Sequence, residues 1–339
     1  MKNIVLVEEL ASLSCITDVF VEDLVNEGNP QIYTLCGKGS RSSLRVLKHG
    51  LQVTEMASSS LPGKPAAIWT LKGAIGDKYD KYIIVSFLNA TLVLSIGEKV
   101  LEIPNSGFDS KKPSLHVGLL EDNTYIQVFP NGIIHIKTDK RRNLYQTTSR
   151  ILCASSNQRQ IAVALQDKEI MYFELDSNSN TLTQIEKKVL ESEIICLDIG
   201  TIPEGRQRCK FLAVGCADST VKLLSLDLET CLSRISTQAL PCTPENICLI
   251  EMKSTNLSTY LNENNELFLH IGLTNGVLLR TAVDLVTGNL SDTRTKYLGS
   301  KPVLLFKINV QGARSMLAVS SKPWLCYNFM SKYFITNLK

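Results

Sequence analysis

Lys137, Lys140, Arg141 and Arg142 form the densest run of positive charge in the chain. Such a run offers a contact for a phosphate or an acidic partner, and a solvated loop has the same composition. Tyr145 is the aromatic residue close to it, so the pattern of stacked rings that reads single-stranded RNA is missing. Gly37-Lys38-Gly39-Ser40-Arg41-Ser42-Ser43 has the outline of a phosphate loop. Its residues do not follow the Gly-x-x-x-x-Gly-Lys-Ser/Thr order, and it joins two strand-like runs where a nucleotide loop would lead into a helix, so it reads as a hairpin turn. His49, His116, His135 and His270 are scattered without metal-ligand spacing. His270, within Phe268-Leu269-His270-Ile271, reads as a hydrogen-bonded structural residue. Neither a strained Gly-x-Ser-x-Gly elbow nor an Asp-box turn is present. No catalytic, cofactor-binding or metal residue is assigned, and no cofactor is expected.

The element that must carry these residues is a β-hairpin. Phe211–Leu226 is an apolar, β-rich run that breaks at Cys216-Ala217-Asp218-Ser219 and resumes. There Asp218 can fold back on the local backbone. Similar units occur at Gln31–Leu47, Tyr82–Ile96, Tyr125–Ile136, Gln160–Leu175, Phe268–Val283 and Met316–Phe329. Their turns lie about 47 residues apart on average, the mark of a repeat architecture. Three positions before each turn stands Cys36, Ser86, Ala164, Gly215, Gly272 or Ser320, with Val128 as the bulky exception. Small residues there let neighbouring sheets approach.

Each hairpin has a strand-like run before it, at Cys15–Phe20, Ala66–Leu71, Ser114–Leu120, Ile151–Ser155, Ile194–Ile199, Asn246–Met252 and Val303–Ile308. A further run follows, as at Cys231–Thr237. Seven four-stranded sheets need about 12 residues per strand and loop, the usual spacing of all-β repeats. A four-stranded antiparallel sheet alone exposes two apolar faces, and radial stacking buries each against the next. The expected fold is all-β, a seven-bladed β-propeller of four-stranded antiparallel blades over 1–339, with a pair of β-sandwiches as the alternative. Asn3–Val7 and Tyr333–Leu338 are the strands available to close the ring. Trp69 and Trp324 read as blade-packing residues, and the polar stretch Lys253–Glu266 as a mobile insertion within the sixth blade.

Net charge is +3 and charged residues make up 20% of the chain, so no global field marks a polyanion-binding protein. The amino terminus meets Glu8 and Glu9 too early for a signal peptide, and no run approaches the length of a membrane span. A soluble, intracellular protein is expected. The ten cysteines include no C-x-x-C pair and fall mostly in strand-like runs, which reads as free thiols in a reducing compartment rather than a disulfide framework or a zinc site. The sequons at Asn89, Asn256 and Asn289 then carry no information.

Arg41–Leu51, Tyr82–Gly97 and Asn289–Phe306, above all Asp292–Gly299 and Ser43–Gly50, resemble the splicing factor 3b subunit 3 family, and the likeness runs from end to end. More distantly the chain is similar to damaged DNA-binding protein 1 and to the large subunit of the cleavage and polyadenylation specificity factor. The resemblance implies a nuclear, non-catalytic scaffold of three propellers, of which this chain matches the middle one. Another propeller is expected before Met1 and another after Lys339, so that the chain reads as a fragment, a truncated gene product or a reduced paralogue. It also implies membership of the U2 small nuclear ribonucleoprotein in pre-mRNA splicing. The implied partners are a helical-repeat large subunit, a small subunit and spliceosomal proteins, without sequence-specific nucleic-acid binding or membrane contact. Two other functions share the architecture: an adaptor for a cullin-type ubiquitin ligase, and an enzyme acting in the central channel.

Overall fold

The computed structural model of the chain describes residues 12–24, 30–48, 50–55, 58–176, 179–203, 205–253, 265–310, 312–329 and 332–338. Nearly all regular structure in them is β. The first sheet holds β1 (Ile16–Glu22), β2 (Gln31–Cys36) and β3 (Ser43–Leu47). The second holds β4 (Pro65–Lys72), β5 (Asp80–Phe87), β6 (Thr91–Ser95) and β7 (Leu101–Glu102). In the third are β8 (His116–Leu119), β9 (Tyr125–Phe129), β10 (Gly132–Ile136) and β11 (Arg142–Gln146). The fourth comprises β12 (Ile151–Ser156), β13 (Gln160–Leu165), β14 (Glu169–Asp176) and β15 (Thr181–Val189). The fifth is β16 (Ile194–Ile199), β17 (Phe211–Cys216), β18 (Thr220–Ser225) and β19 (Arg234–Ala239). The sixth is β20 (Pro244–Lys253), β21 (Asn265–Leu273), β22 (Val277–Val283) and β23 (Leu290–Tyr297). The seventh is β24 (Leu304–Val310), β25 (Ala313–Val319), β26 (Pro323–Phe329) and β27 (Lys332–Asn337).

These seven meandering sheets are the blades of a seven-bladed β-propeller, the first showing three strands among the described residues. The predicted hairpins and leading strands coincide with observed strands to within about three residues. The run after the reference hairpin differs more. A short 3-10 turn at Leu228–Thr230 delays β19, so the strand predicted at Cys231–Thr237 begins at Arg234. Of the two runs offered for ring closure, Tyr333–Leu338 falls on the fourth strand of the seventh sheet, which spans Lys332–Asn337, and Asn3–Val7 lies outside the described residues. Most of the insertion, 254–264, lies outside them too, as does His49.

The chain divides into two compact units, the described part of Met1–Thr54 with Thr336–Lys339, and Glu55–Ile335. In the smaller unit β2 pairs with β1 and β3, and the Leu51 N–H donates to the Asn337 carbonyl at 2.9 Å. In the larger unit the first strands pack in sequence, β4 on β8, β8 on β12, β12 on β16, β16 on β20 and β20 on β24.

Strand periodicity explains that packing. Along β17 successive side chains point to opposite faces. Leu212, Val214 and Cys216 join Ala162, Ile170 and Tyr172 of the fourth sheet, while Phe211 and Ala213 join Leu249, Leu269 and Ile271 of the sixth. Both faces are therefore core, and the strand is apolar throughout rather than alternating. Each fully buried Leu, Ile or Val contributes about 1.5–3 kcal/mol relative to exposure.

The small residues before the turns act as expected. A Cβ on Gly215 would stand 2.6 Å from the Cys196 sulfur and 2.8 Å from Ile247 Cδ1 of the sixth sheet. One on Gly272 would overlap the Val303 carbonyl oxygen, which leads into the seventh. Ser86 is small enough for its hydroxyl to accept the N–H of Ser114, just before the third sheet, at 2.9 Å.

A second repeated device went unseen in the sequence. A hydroxyl just before the first strand bonds to the turn of the same sheet's central hairpin: Ser149 to Asp167, Ser192 to Asp218 at 2.5 Å, Thr243 to Thr274 at 3.2 Å and Ser300 to Ser321 at 3.2 Å. Asp218 also accepts the Thr220 N–H at 3.2 Å, the local fold-back that its position suggests.

Candidate partner-binding surface

Lys137, Lys140, Arg141 and Arg142 lie at the turn joining β10 to β11. The turn is closed by Lys137 N–H to Arg141 O at 2.9 Å and Lys140 N–H to Lys137 O at 2.8 Å, with Lys140 at φ 64°. Asp139 lies between the cations and holds Arg141. It accepts the Arg141 N–H at 3.0 Å and pairs with that guanidinium at 3.1 Å, both side chains being exposed. Arg142 donates to the Phe108 carbonyl at 3.0 Å. The structure thus brings the four together on one rim but commits both arginines within the chain, leaving Lys140 as the exposed cation most open to a partner. An exposed pair such as Arg141 with Asp139 contributes about 0–1 kcal/mol, so a partner carboxylate can replace Asp139 at little cost.

A second constellation was not anticipated. Asp198 on β16 is 8% exposed and accepts from three other sheets: Ser155 Oγ at 2.8 Å, the Leu249 N–H at 2.6 Å and Lys307 Nζ at 2.7 Å. Lys307 also donates to Ile199 O at 2.8 Å. Burial works against its charge, but the Asp198 carboxylate, with Cys248 and Cys209 adding to it, raises its pKa. Nearby, Arg314 bonds Thr201 Oγ1 at 2.7 Å and Glu251 at 3.2 Å. Lys307, Thr201 and Arg314, together with His116 and Ser156, which share a 2.8 Å hydrogen bond, line a cavity of about 290 Å³. The legible signal was a charge inside an apolar strand, as in Leu197-Asp198-Ile199 and Phe306-Lys307-Ile308.

The described histidines are structural. His135 shares a 2.7 Å hydrogen bond with Thr124, and His270 one of 2.9 Å with Tyr333 while stacking on that ring. Burial, followed by the charge of Arg280, lowers the His270 pKa from 6.5 to about 3. Burial and then Lys307 lower that of His116 to about 4. Between the unfolded and folded values the unfolded chain binds the extra proton, so stability present above about pH 6.5 is lost as pH falls toward the folded pKa. Urea denaturation should show wild type losing about 2–3 kcal/mol more than His270→Gln between pH 7 and pH 4.5. Equal losses would mean that His270 takes up its proton as readily in the fold as in the unfolded chain.

Trp69 packs in the core shared by the second and third sheets. Trp324 packs in the core between the sixth and seventh and donates to Leu298 O at 3.1 Å. All ten cysteines are free thiols, with Cys15 exposed. Among the described residues no helix is long and apolar enough to cross a membrane.

A family model for the second β-propeller of RSE1, DDB1 and CPSF1 matches residues 53–339. The chain belongs to this propeller family. It is 48% identical to splicing factor 3B subunit 3 of Danio rerio, over 100% of this chain and 28% of that protein. The protein of the same name from Drosophila melanogaster is also 48% identical, over 100% of this chain and 29% of its own length. Spliceosome-associated protein 130 A of Arabidopsis thaliana is 46% identical, with 100% and 28% covered. The chain therefore spans less than a third of the length of these curated relatives.

Proposed function

We propose that this chain is a non-catalytic protein-interaction scaffold of the splicing factor 3b complex, acting in the nucleus in pre-mRNA splicing within the U2 small nuclear ribonucleoprotein. It would occupy the middle position of three propellers. The observation that carries this reading is the 48% identity, over the whole chain, to proteins named splicing factor 3B subunit 3. Its mechanism is geometric, holding partners in fixed relative positions on a rigid frame. The non-catalytic character is supported by the use of the polar groups: His116, His135 and His270 are bonded to the hydroxyls of Ser156, Thr124 and Tyr333, and the Asp198 oxygens are occupied by donors from three sheets.

Tagging the protein in cells, purifying it from nuclear extract and identifying its companions by mass spectrometry tests the assignment. Recovery of the helical-repeat large subunit and the small subunit of splicing factor 3b is expected. Recovery of a cullin without them would replace it by the ubiquitin-ligase adaptor reading. Lys137, Lys140, Arg141 and Arg142 are the proposed acidic-partner contact on the third blade. Reversing Lys140, Arg141 and Arg142 to glutamate should weaken a partner bound there by roughly fivefold or more, since each rim charge contributes up to about 1 kcal/mol. Unchanged affinity for every companion would remove that rim from the interface.

A further inference from the structure

A groove of about 910 Å³ runs between the outer strands of the sixth and seventh sheets. At its base Arg280 of β22 is 8% exposed, its guanidinium 4.8 Å from the Phe268 ring centre and 4.2 Å from that of Tyr333. The rings fix its orientation without accepting its N–H groups. Among the described residues its ion-pair partner is Asp292 at 3.9 Å, too far for a hydrogen bond, and Asp292 is held more closely by Arg294 at 3.1 Å. The Arg280 N–H groups open to the groove without a close acceptor among the described residues, so a carboxylate arriving there meets free donors.

Arg280 offers its fork of donors to an acceptor, preferably a planar carboxylate. A free anion meets that demand alone, whereas a peptide brings a side-chain carboxylate together with apolar side chains. The rim suits such a chain. Lys296 and Lys332 line it, and Leu285 and Val286 are 41% and 75% exposed beside it. Of the groove's own carboxylates, Asp284 is occupied by the Val286 and Thr287 N–H groups at 2.9 and 2.6 Å, and Asp292 by Arg294. Glu266 remains at the margin.

We infer that this groove binds an extended acidic segment of a protein partner, with an aspartate or glutamate carboxylate on Arg280 and an apolar side chain against Leu285 and Val286. The inference does not depend on the splicing assignment.

The test is fluorescence anisotropy of the full chain with a labelled heptapeptide of alternating leucine and aspartate, alongside its leucine and asparagine counterpart. The acidic peptide should bind, and Arg280→Met should weaken it at least tenfold while the melting temperature is retained. Binding should also fall with added salt. Val286→Asp, a change at an exposed rim position, should weaken it as well and supplies the test if Arg280→Met fails to fold. Equal affinity of wild type and both variants, equal binding of the asparagine peptide, or no binding at all would overturn the inference. Displacement of the acidic peptide by low-millimolar inorganic phosphate alone would assign the site to a free anion instead.

Discussion

Replacing Asp198 by alanine lowers the unfolding free energy by about 3 kcal/mol, enough to remove a large part of the stability of an ordinary domain. The carboxylate is the meeting point of four sheets. Ser155 reaches it from the fourth, Leu249 N–H from the sixth and Lys307 from the seventh, while Asp198 itself belongs to the fifth. Its loss strands a buried backbone donor and removes the negative charge that holds the Lys307 ammonium. The ammonium retains Ile199 O, and its side chain is 33% exposed, so the loss stays below that of a fully buried ion pair. Asp198→Asn keeps the shape and one acceptor oxygen and should cost less than alanine. Urea denaturation of the three proteins at neutral pH measures the order, and an alanine variant within about 0.5 kcal/mol of wild type would show that the blades meet without this carboxylate.

Gly272→Val should be at least as damaging, costing about 3 kcal/mol or more through overpacking. The new side chain would meet the Val303 carbonyl, backbone that enters the seventh sheet, and backbone cannot swing aside as a side-chain tip can. The fault would force apart the cores of the sixth and seventh sheets, where Leu278, Leu298, Val303 and Met316 interdigitate. Gly76→Ala is the matched control, because a Cβ there meets nothing within 4 Å. It should leave stability unchanged or raise it by about 0.5 kcal/mol through the unfolded chain's lost freedom. Thermal melting separates the two, and a Gly272→Val protein melting with the control would show that the blades can yield at this seam.

The prediction at Gly272 came from the amino-acid order, whereas the one at Asp198 did not. A turn preceded by a small residue is a local pattern present in six of the seven hairpins, and repetition lets each copy support the others. Asp218 in its hairpin turn was legible for the same reason, since its first bond lies two residues away. Ser192 and Asp218 are 26 residues apart, and no local rule links a hydroxyl before one strand to the turn between two others. The delayed start of β19 belongs to the same class. Its Cys231-Leu232-Ser233 lead-in has strand composition, yet Leu232 is fully buried at φ 55° because the fourth and fifth sheets' shared core claims its side chain.

The charged run at Lys137–Arg142 shows what composition alone can mislead about. Four cations were visible, but Asp139 and the Phe108 carbonyl, which occupy the two arginines, were not visible as partners. By itself the sequence determined the all-β class, the number of blades, the positions of nearly every strand and the family likeness, because apolar periodicity, turn chemistry and residue identity are properties of neighbours along the chain. Only the tertiary structure decided which polar groups face one another. Asp198 meets Lys307, and Arg280 is left between Phe268 and Tyr333, because packing apolar faces brings separate blades together and the charges on them must then take whatever partners that geometry supplies.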